Sequence, residues 1–573
     1  MATIVGLILL VGLAPPAGAA TSANPIVGAT YPGVSNELND PPSGTIAANK
    51  AEVVELANTG FEVVTSKGTV TSGTVEDLFK ANGRFLSDPQ VIWDAATNRF
   101  YVSIFENHGT SSPNDGLAWG FSKTAHPSSA KDFCTYFNTF NYGATSFPDQ
   151  ESLGDTTHFL MIASNRYSVP DEDTLGSDVA WISKPPAGRE CPASTAFNTG
   201  IQSLANPDGS WAYRPTPARQ VDTNSTGWIA ATTSYVSADT LTMFHATENG
   251  NSLAIGSPRL LPVPEYSYPP PAPQGGLTKS GELPPPLETR IYLTQVIEAY
   301  DPRLGSLALW TAHTIAGGAG SAVRWYEINP ANLSLDQTGT ITDPQLWLFN
   351  ATVTPDRVVN GNNSGFGSSA VVEYNTSSSS AYPAIRMESI VDGQAPSPPV
   401  LVKQSTGPNV DFSCFQPDNM PCRWGDYSGA VPDPGSPLTA EHGQVWLVNQ
   451  WNLPDLDDQT PVWQTSIWNA TFSNSSPTTA VVIPASNTSV SGSSTLLDAA
   501  GTDTVPITSI TYELNGGTAT NKVVATATPT LYGWLAYWDT TDVPNGTYTL
   551  ASVLTDADHI TVTSPGVTVK VAN

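Results

Sequence analysis

Hydrophobic positions along this chain come in short bursts rather than in long faces of helical period. Runs such as Arg99-Phe-Tyr-Val-Ser-Ile-Phe105, His158-Phe-Leu-Met-Ile-Ala-Ser164 and Ser306-Leu-Ala-Leu-Trp-Thr-Ala312 are each bounded by Gly, Pro, Asn or Asp. β-branched and aromatic residues held between turn-formers predict β-strands. The bursts also recur. Six segments open on a polar residue, cross a short strand and close on an Asp: Asp88–Asp94, Asp149–Asp155, Thr216–Asp222, Gln295–Asp301, Asn350–Asp356 and Tyr427–Asp433. A turn, an apolar run and a further strand follow each, as in Ala118-Trp-Gly-Phe-Ser-Lys123 and Val323-Arg-Trp-Tyr-Glu-Ile328. The closing aspartates are 55 to 79 residues apart, whereas stacked solenoid units would repeat every 20 to 30 or so. The pattern predicts an all-β chain whose main part, 51–472, is a six- or seven-bladed β-propeller. A seventh blade would come from Val53–Phe79 pairing with the chain after Trp463, and 21–50 reads as an N-terminal extension. The Pro-rich stretch from Pro262 to Pro286 accounts for the longest interval as a polyproline excursion over one face.

A short linker at 473–478 separates this part from 479–573. There, alternating strands such as Ile507-Thr-Ser-Ile-Thr-Tyr-Glu-Leu514 stand between turn signals at Asn515-Gly-Gly and Pro544-Asn-Gly. Several short strands over about 100 residues predict a two-sheet sandwich. At the other end, residues 1–20 form an apolar run broken by Pro15-Pro16 and followed by small residues at Ala17 and Ala19. That is the shape of a signal peptide and is too short for a membrane anchor. No later stretch predicts a transmembrane segment.

In an oxidising compartment the four cysteines, Cys134, Cys191, Cys414 and Cys422, allow three pairings into two disulfides. The closeness of Cys414 and Cys422 favours a local staple, and Cys134 with Cys191 would then join two successive repeats. Neither Cys-x-x-Cys nor paired His spacing favours zinc. Charge narrows the classes further. The chain carries 51 acidic and 23 basic residues, a formal net charge of −28, although only 13% of positions are charged. Without clustered Lys and Arg a nucleic-acid partner is excluded. The composition is also the reverse of a coiled coil or helical repeat.

Residues 478–573 resemble bacterial immunoglobulin-like domains, on Ala527-Thr-Pro-Thr-Leu-Tyr-Gly-Trp-Leu-Ala-Tyr-Trp-Asp-Thr540, Val543-Pro-Asn-Gly-Thr-Tyr-Thr-Leu550 and Ser564-Pro-Gly-Val-Thr-Val569. The resemblance implies a non-catalytic spacer or adhesive module. The larger part is similar to exported bacterial propeller proteins of largely uncharacterised activity. The match is Asp88 to Ser103, supported by Arg423-Trp-Gly-Asp-Tyr-Ser-Gly429. It implies a fold and little about activity.

In a propeller the inner strand of each blade lines a channel, and the repeat would set its opening polar residues around one mouth. The candidate ring is Asp88, Asp149, Thr216, Gln295, Asn350 and, with one residue of slippage, Asp426. Converging carboxylates and neutral oxygens suit a hard cation, calcium first, or sugar hydroxyls. The closing aspartates read as turn-formers. No Gly-x-Ser-x-Gly elbow, His-x-x-x-His or helix-opening Gly-rich loop is present. The sequence therefore predicts a secreted, monomeric, non-catalytic protein that binds an extracellular polysaccharide or surface through the propeller face. The competing expectations are a carbohydrate hydrolase or lyase acting through Asp88 with Asp149 or Asp426, and a purely structural envelope component.

Overall fold

The computed structural model describes residues 22, 24–35, 38–107, 115–143, 145–169, 172–185, 188, 190–359, 365–415, 421–437, 442–454, 456–472, 477–503, 507–530, 533–556 and 561–573. The expected signal peptide and most of the expected linker lie outside the described residues. The chain divides into two compact units, with 23–474 in one and 475–573 in the other.

The larger unit is all-β. Its strands include β1 (Pro25–Ser35), β2 (Thr45–Ala48), β3 (Phe85–Asp94), β4 (Ser146–Asp155), β5 (Tyr213–Gln220), β6 (Val296–Asp301), β7 (Trp347–Pro355), β8 (Gly429–Pro432) and β9 (Trp463–Phe472). Each of β2 to β8 stands first in an antiparallel array, of five strands for β5 and of four for the others. Five arrays are separate sheets, and two are fused where β5 runs parallel to β6 over Ala218–Gln220 and Val296–Glu298. Successive first strands touch, and β8 touches β2. The arrangement is thus propeller-like, and the arrays do not merge into one hydrogen-bonded barrel.

The continuous apolar runs follow from this geometry. Side chains alternate across a strand, so Phe100, Val102 and Ile104 pack on Val54, Leu56, Phe61 and Val63 of the preceding array. Tyr101 turns the other way, onto Leu153, Leu160 and Ile162 of the following one. A strand apolar on both faces is what an array buried on both sides requires. Burying each such side chain contributes about 1.5–3 kcal/mol.

The terminal pairings differ from those the sequence indicates. Val53–Phe79 was expected beside the chain after Trp463. Instead Glu52–Ala57, Gly60–Thr65 and Val70–Thr74 complete the array begun by β2. β9 pairs on one side with Val445–Asn452 and on the other with β1, with Pro25 opposite Phe472 and Ser35 opposite Gln464. The stretch 21–50 is therefore not an extension, because β1 and β2 both lie in it. Gly33 permits the close approach, since a Cβ there would collide with Thr465 and with the carboxyl of Glu55. Glu55 in turn accepts the Val34 N–H at 3.0 Å.

Both disulfides are present, Cys134–Cys191 and Cys414–Cys422. The first ties the fourth strand of the β3 array to the segment before Thr199–Leu204, the fourth strand of the β4 array. The smaller unit has a four-stranded and a six-stranded sheet. Leu497, Ala499 and Trp538 from one share a core with Tyr512, Leu514, Leu550 and Val569 from the other. Among the described residues no helix is long and apolar enough to cross a membrane.

Two outcomes are expected. Deleting residues through Ser35 strips β9 of one of its two partners and should lower Tm by roughly 5 °C or more, read by calorimetry against the full chain. An unchanged melt would mean that β1 closes nothing. The second concerns pH. Burial pushes the carboxyls of Glu55 and Glu298 up to about 8, and those of Glu62 and Glu388 up to about 7, from 4.5. A carboxyl raised in the fold is held protonated there, so its stabilising contribution is full below the unfolded value and is lost as pH climbs through the folded one. Tm should therefore fall from about pH 5 to about pH 9, and Glu55→Gln should flatten that slope.

Candidate functional site

Six of the seven first strands are entered through a residue with left-handed backbone: Ser43 (φ 50°), Asp88 (62°), Gln150 (59°), Arg214 (51°), Asn350 (51°) and Asp426 (57°). At Asp88, Gln150, Arg214 and Asn350 the pairing with the next strand slips as a β-bulge. A bulge re-aims the side chain it carries, and these residues gather at the strand-start end of the array ring. The spacing to the closing residue varies from five to eight, as Gln150 to Asp155 and Arg214 to Asp222 illustrate. Counting back a constant interval therefore picked Asp149 and Thr216 where the equivalent positions are Gln150 and Arg214. A seventh repeat, Ser43 to Asn49, ends on an Asn whose Oδ1 accepts the Ala51 and Glu52 N–H groups at 2.7 Å.

The predicted ring is only partly assembled. Asp88 and Asp426 are buried here, with half-buried Asp149 beside them and Asn350 against Gly425. Thr216 is not part of the group, since its hydroxyl donates to the carbonyls of Arg214 and Leu293. Gln295 lies deeper on the axis, donating from Nε2 to the carbonyls of Val353 (3.2 Å) and Ala430 (2.7 Å).

Arginines, which the ring hypothesis omitted, dominate the strand-start end. Asp426 is bound by Arg290 at 3.0 Å and by Arg423 at 2.7 Å. Burial opposes its charge, but Arg290, Arg423 and Arg214 outweigh that and hold it below the usual carboxylate range. Arg214 is stacked between Tyr292 (3.8 Å to the ring centre) and Tyr427 (4.1 Å). Its two terminal nitrogens have no hydrogen-bond partner among the described residues. Burial, then the charge of Asp426, raises Asp88; burial, then Asp88, raises Asp149 to about 7. A protonated carboxyl beside an ionised one is the pairing that acid–base chemistry uses, but Asp426 is enclosed. The Pro-rich excursion bridges through Leu287 to Cys422 and brings Arg290 and Tyr292 onto Asp426. A void lined by Arg290, Tyr292, Asn350 and Asp426 measures about 10 Å³. The donor set does not fit the expected calcium either. The oxygens of Asp426 face Arg290, Arg423 and Tyr292, while those of Asp88 accept from Ser43, Ser87 and the Gln150 N–H. Among the described residues no cluster of three or more His, Cys, Asp or Glu could hold a metal.

The open cavity is at the other end. It measures about 430 Å³ and is lined by the last residues of the first strands and the turns after them, among them Asn49, Lys50, Trp93, Asn98, His126, Arg219, Gln220, Arg357 and Pro432. Its floor is Arg219, whose Nη2 donates to Gln90 Oε1 at 2.9 Å and whose Nη1 donates to Gln295 Oε1 at 3.4 Å. No carboxylate hydrogen-bonds this guanidinium among the described residues. Burial lowers it to about 10, with Asp155 opposing. Arg357 is clamped by Asp222, and exposed His126 lies 2.9 Å from Glu52.

The closing aspartates divide by role. Asp94, Asp301 and Asp433 accept the N–H two residues on, as turn-formers do. Asp155, Asp222 and Asp356 reach across to the N–H groups of Gln220, Tyr300 and Gly443. Buried Lys184 also bridges Asp94 and Asp155 at 2.8 Å each. The signal for the cavity was present as basic residues beside the closing positions: Lys50 after Asn49, Arg357 after Asp356, and Arg219 three before Asp222.

No family model and no curated protein matches the chain. Among solved structures it is similar to Trypanosoma rangeli sialidase in complex with 2,3-difluorosialic acid, at 12% identity and TM-score 0.31, over 78% of this chain and 59% of that one. It is similar to the parainfluenza virus 5 hemagglutinin-neuraminidase ectodomain, at 9% identity and TM-score 0.35, over 66% of this chain and 86% of that one. It is also similar to an alpha-L-arabinofuranosidase from Lactobacillus brevis, at 11% identity and TM-score 0.28, over 68% of this chain and 91% of that one. Likeness at such TM-scores carries nothing about what this chain does.

Proposed function

We propose that this chain is an exported, seven-bladed β-propeller with a C-terminal immunoglobulin-like domain, and that it binds an anionic extracellular polymer in the cavity at the strand-end mouth. The touching first strands of seven arrays support the blade number. The two-sheet core of 477–573 supports the sandwich, and two disulfides with the apolar leader-like run support export.

One observation carries the ligand class. In a chain with 51 acidic and 23 basic residues, the 430 Å³ cavity is lined by Lys50, His126, Arg219 and Arg357 and, among the described residues, by no Asp or Glu. A buried guanidinium held only by carboxamides has not recovered the cost of leaving water, and a carboxylate or sulfate would supply the missing charge. Glycoside hydrolysis by paired carboxylates needs an acid and a base in the cavity, whereas the described lining offers cations, which favours recognition.

Arg219→Gln and Lys50→Glu should each weaken binding of oligogalacturonate or chondroitin sulfate oligosaccharides by about tenfold or more, which is roughly 1.4 kcal/mol. Added salt should weaken binding too, and Asp149→Asn at the opposite mouth should leave it unchanged. Calorimetric titration with neutral glucans as controls checks this. Equal affinity for neutral and acidic sugars, or indifference to both cavity substitutions, would overturn the reading.

A further inference from the structure

The cavity does not end at Lys50. A second depression of about 260 Å³ lies against the array begun by β2 and the one begun by β8, and it shares Asn49, Lys50 and Ala51 with the first. Its chemistry is different. Tyr31 of β1 and Trp446 are half-buried there, with ring centres 6.2 Å apart and planes inclined by 33°. The carboxamides of Gln444 and Asn469 stand beside them, the second donating to the first at 3.4 Å.

Two carboxylates also line this depression, Glu52 and Asp433. Glu52 is 2.9 Å from His126, and Asp433 accepts the Gly435 N–H at 2.8 Å. They make the second depression unfavourable for further negative charge. Aromatic rings beside planar amides suit a neutral pyranose, whose C–H face lies on the ring while its hydroxyls exchange hydrogen bonds with the amides. Acid recognition is thus concentrated at Arg219 and Lys50, and neutral recognition beyond them.

We infer that the two depressions form one groove for a linear oligosaccharide with an acidic terminal residue, the acid group over Arg219 and the neutral sugars behind it crossing Lys50 onto Tyr31 and Trp446. This deepens the proposed anion binding and rests on it. The order of charge matters: a chain acidic at every residue would place negative groups beside Glu52 and Asp433.

The test uses the full chain and calorimetric titration with four probes: a disaccharide and a hexasaccharide each carrying one terminal glucuronate on a neutral chain, hexagalacturonate, and polyglutamate. The glucuronate-terminated hexasaccharide should bind about tenfold tighter than the disaccharide, a gain of roughly 1.4 kcal/mol, and tighter than hexagalacturonate. Trp446→Ala and Tyr31→Ala should pull the hexasaccharide-to-disaccharide ratio towards one, whereas Arg219→Gln should weaken both lengths. Asn469→Ala, which removes no aromatic packing, keeps the test alive if Trp446→Ala melts early.

Equal affinity for the two lengths, or a length ratio that survives these three substitutions, would overturn the groove while leaving anion binding intact. Tightest binding by hexagalacturonate would overturn the charge order, and binding of polyglutamate through the same side chains would overturn the sugar assignment. Failure of both glucuronate probes while hexagalacturonate binds would overturn the groove alone, and failure of all three acidic sugars would overturn the groove and the anion reading together.

Discussion

Polar side chains buried at the axis of an array of sheets need hydrogen-bond partners from the protein itself. In this protein Gln295 and Arg219 meet that demand. The carboxamide of Gln295 spans to the carbonyls of Val353 and Ala430, and Arg219 reaches Gln90 and Gln295. Five of the seven first strands, or the residue adjoining one, are held by this one network. It also floors the open cavity, since Arg219 meets carboxamides there rather than a carboxylate and so keeps its charge uncompensated. The two mouths differ in consequence. At the strand-start end the guanidinium groups of Arg290 and Arg423 meet Asp426. At the strand-end mouth positive charge is left for a ligand.

Much of this fold could be read from the residues. Closing aspartates and two-sided apolar runs revealed repeated all-β units, because an array buried on both faces imprints both signals on its sequence. The Asn49 repeat escaped, since an amide replaces the carboxylate in the same turn. The strand β1 escaped because Gly28, Pro32 and Gly33 interrupt its alternation, and the glycine at 33 is needed for the close approach to Thr465.

The site was less legible. A bulge displaces the functional position by one or two residues in a way that no constant spacing captures, so Gln150 and Arg214 were passed over for their neighbours Asp149 and Thr216. Carboxylates also drew attention in a strongly acidic chain. Many of them are instead occupied in the framework, as Asp94 and Asp155 are by Lys184. The informative residues were the rarer basic ones. Formal charge overstates the field as well, because burial keeps carboxyls such as Glu55 and Glu298 protonated near neutrality.

The pairing of Pro25–Ser35 with Trp463–Phe472 sets the order in which this molecule can be assembled. All the arrays but that of β8 are built from contiguous stretches of chain, so their contacts are local. Closure joins segments more than four hundred residues apart in sequence, and such long-range pairing slows folding. Until it forms, β9 presents an unpaired edge, and the seven arrays can be strung out in line. Docking of β1 is therefore the pairing that closes the longest loop of this unit, and the one whose entropy cost the rest of the chain must meet.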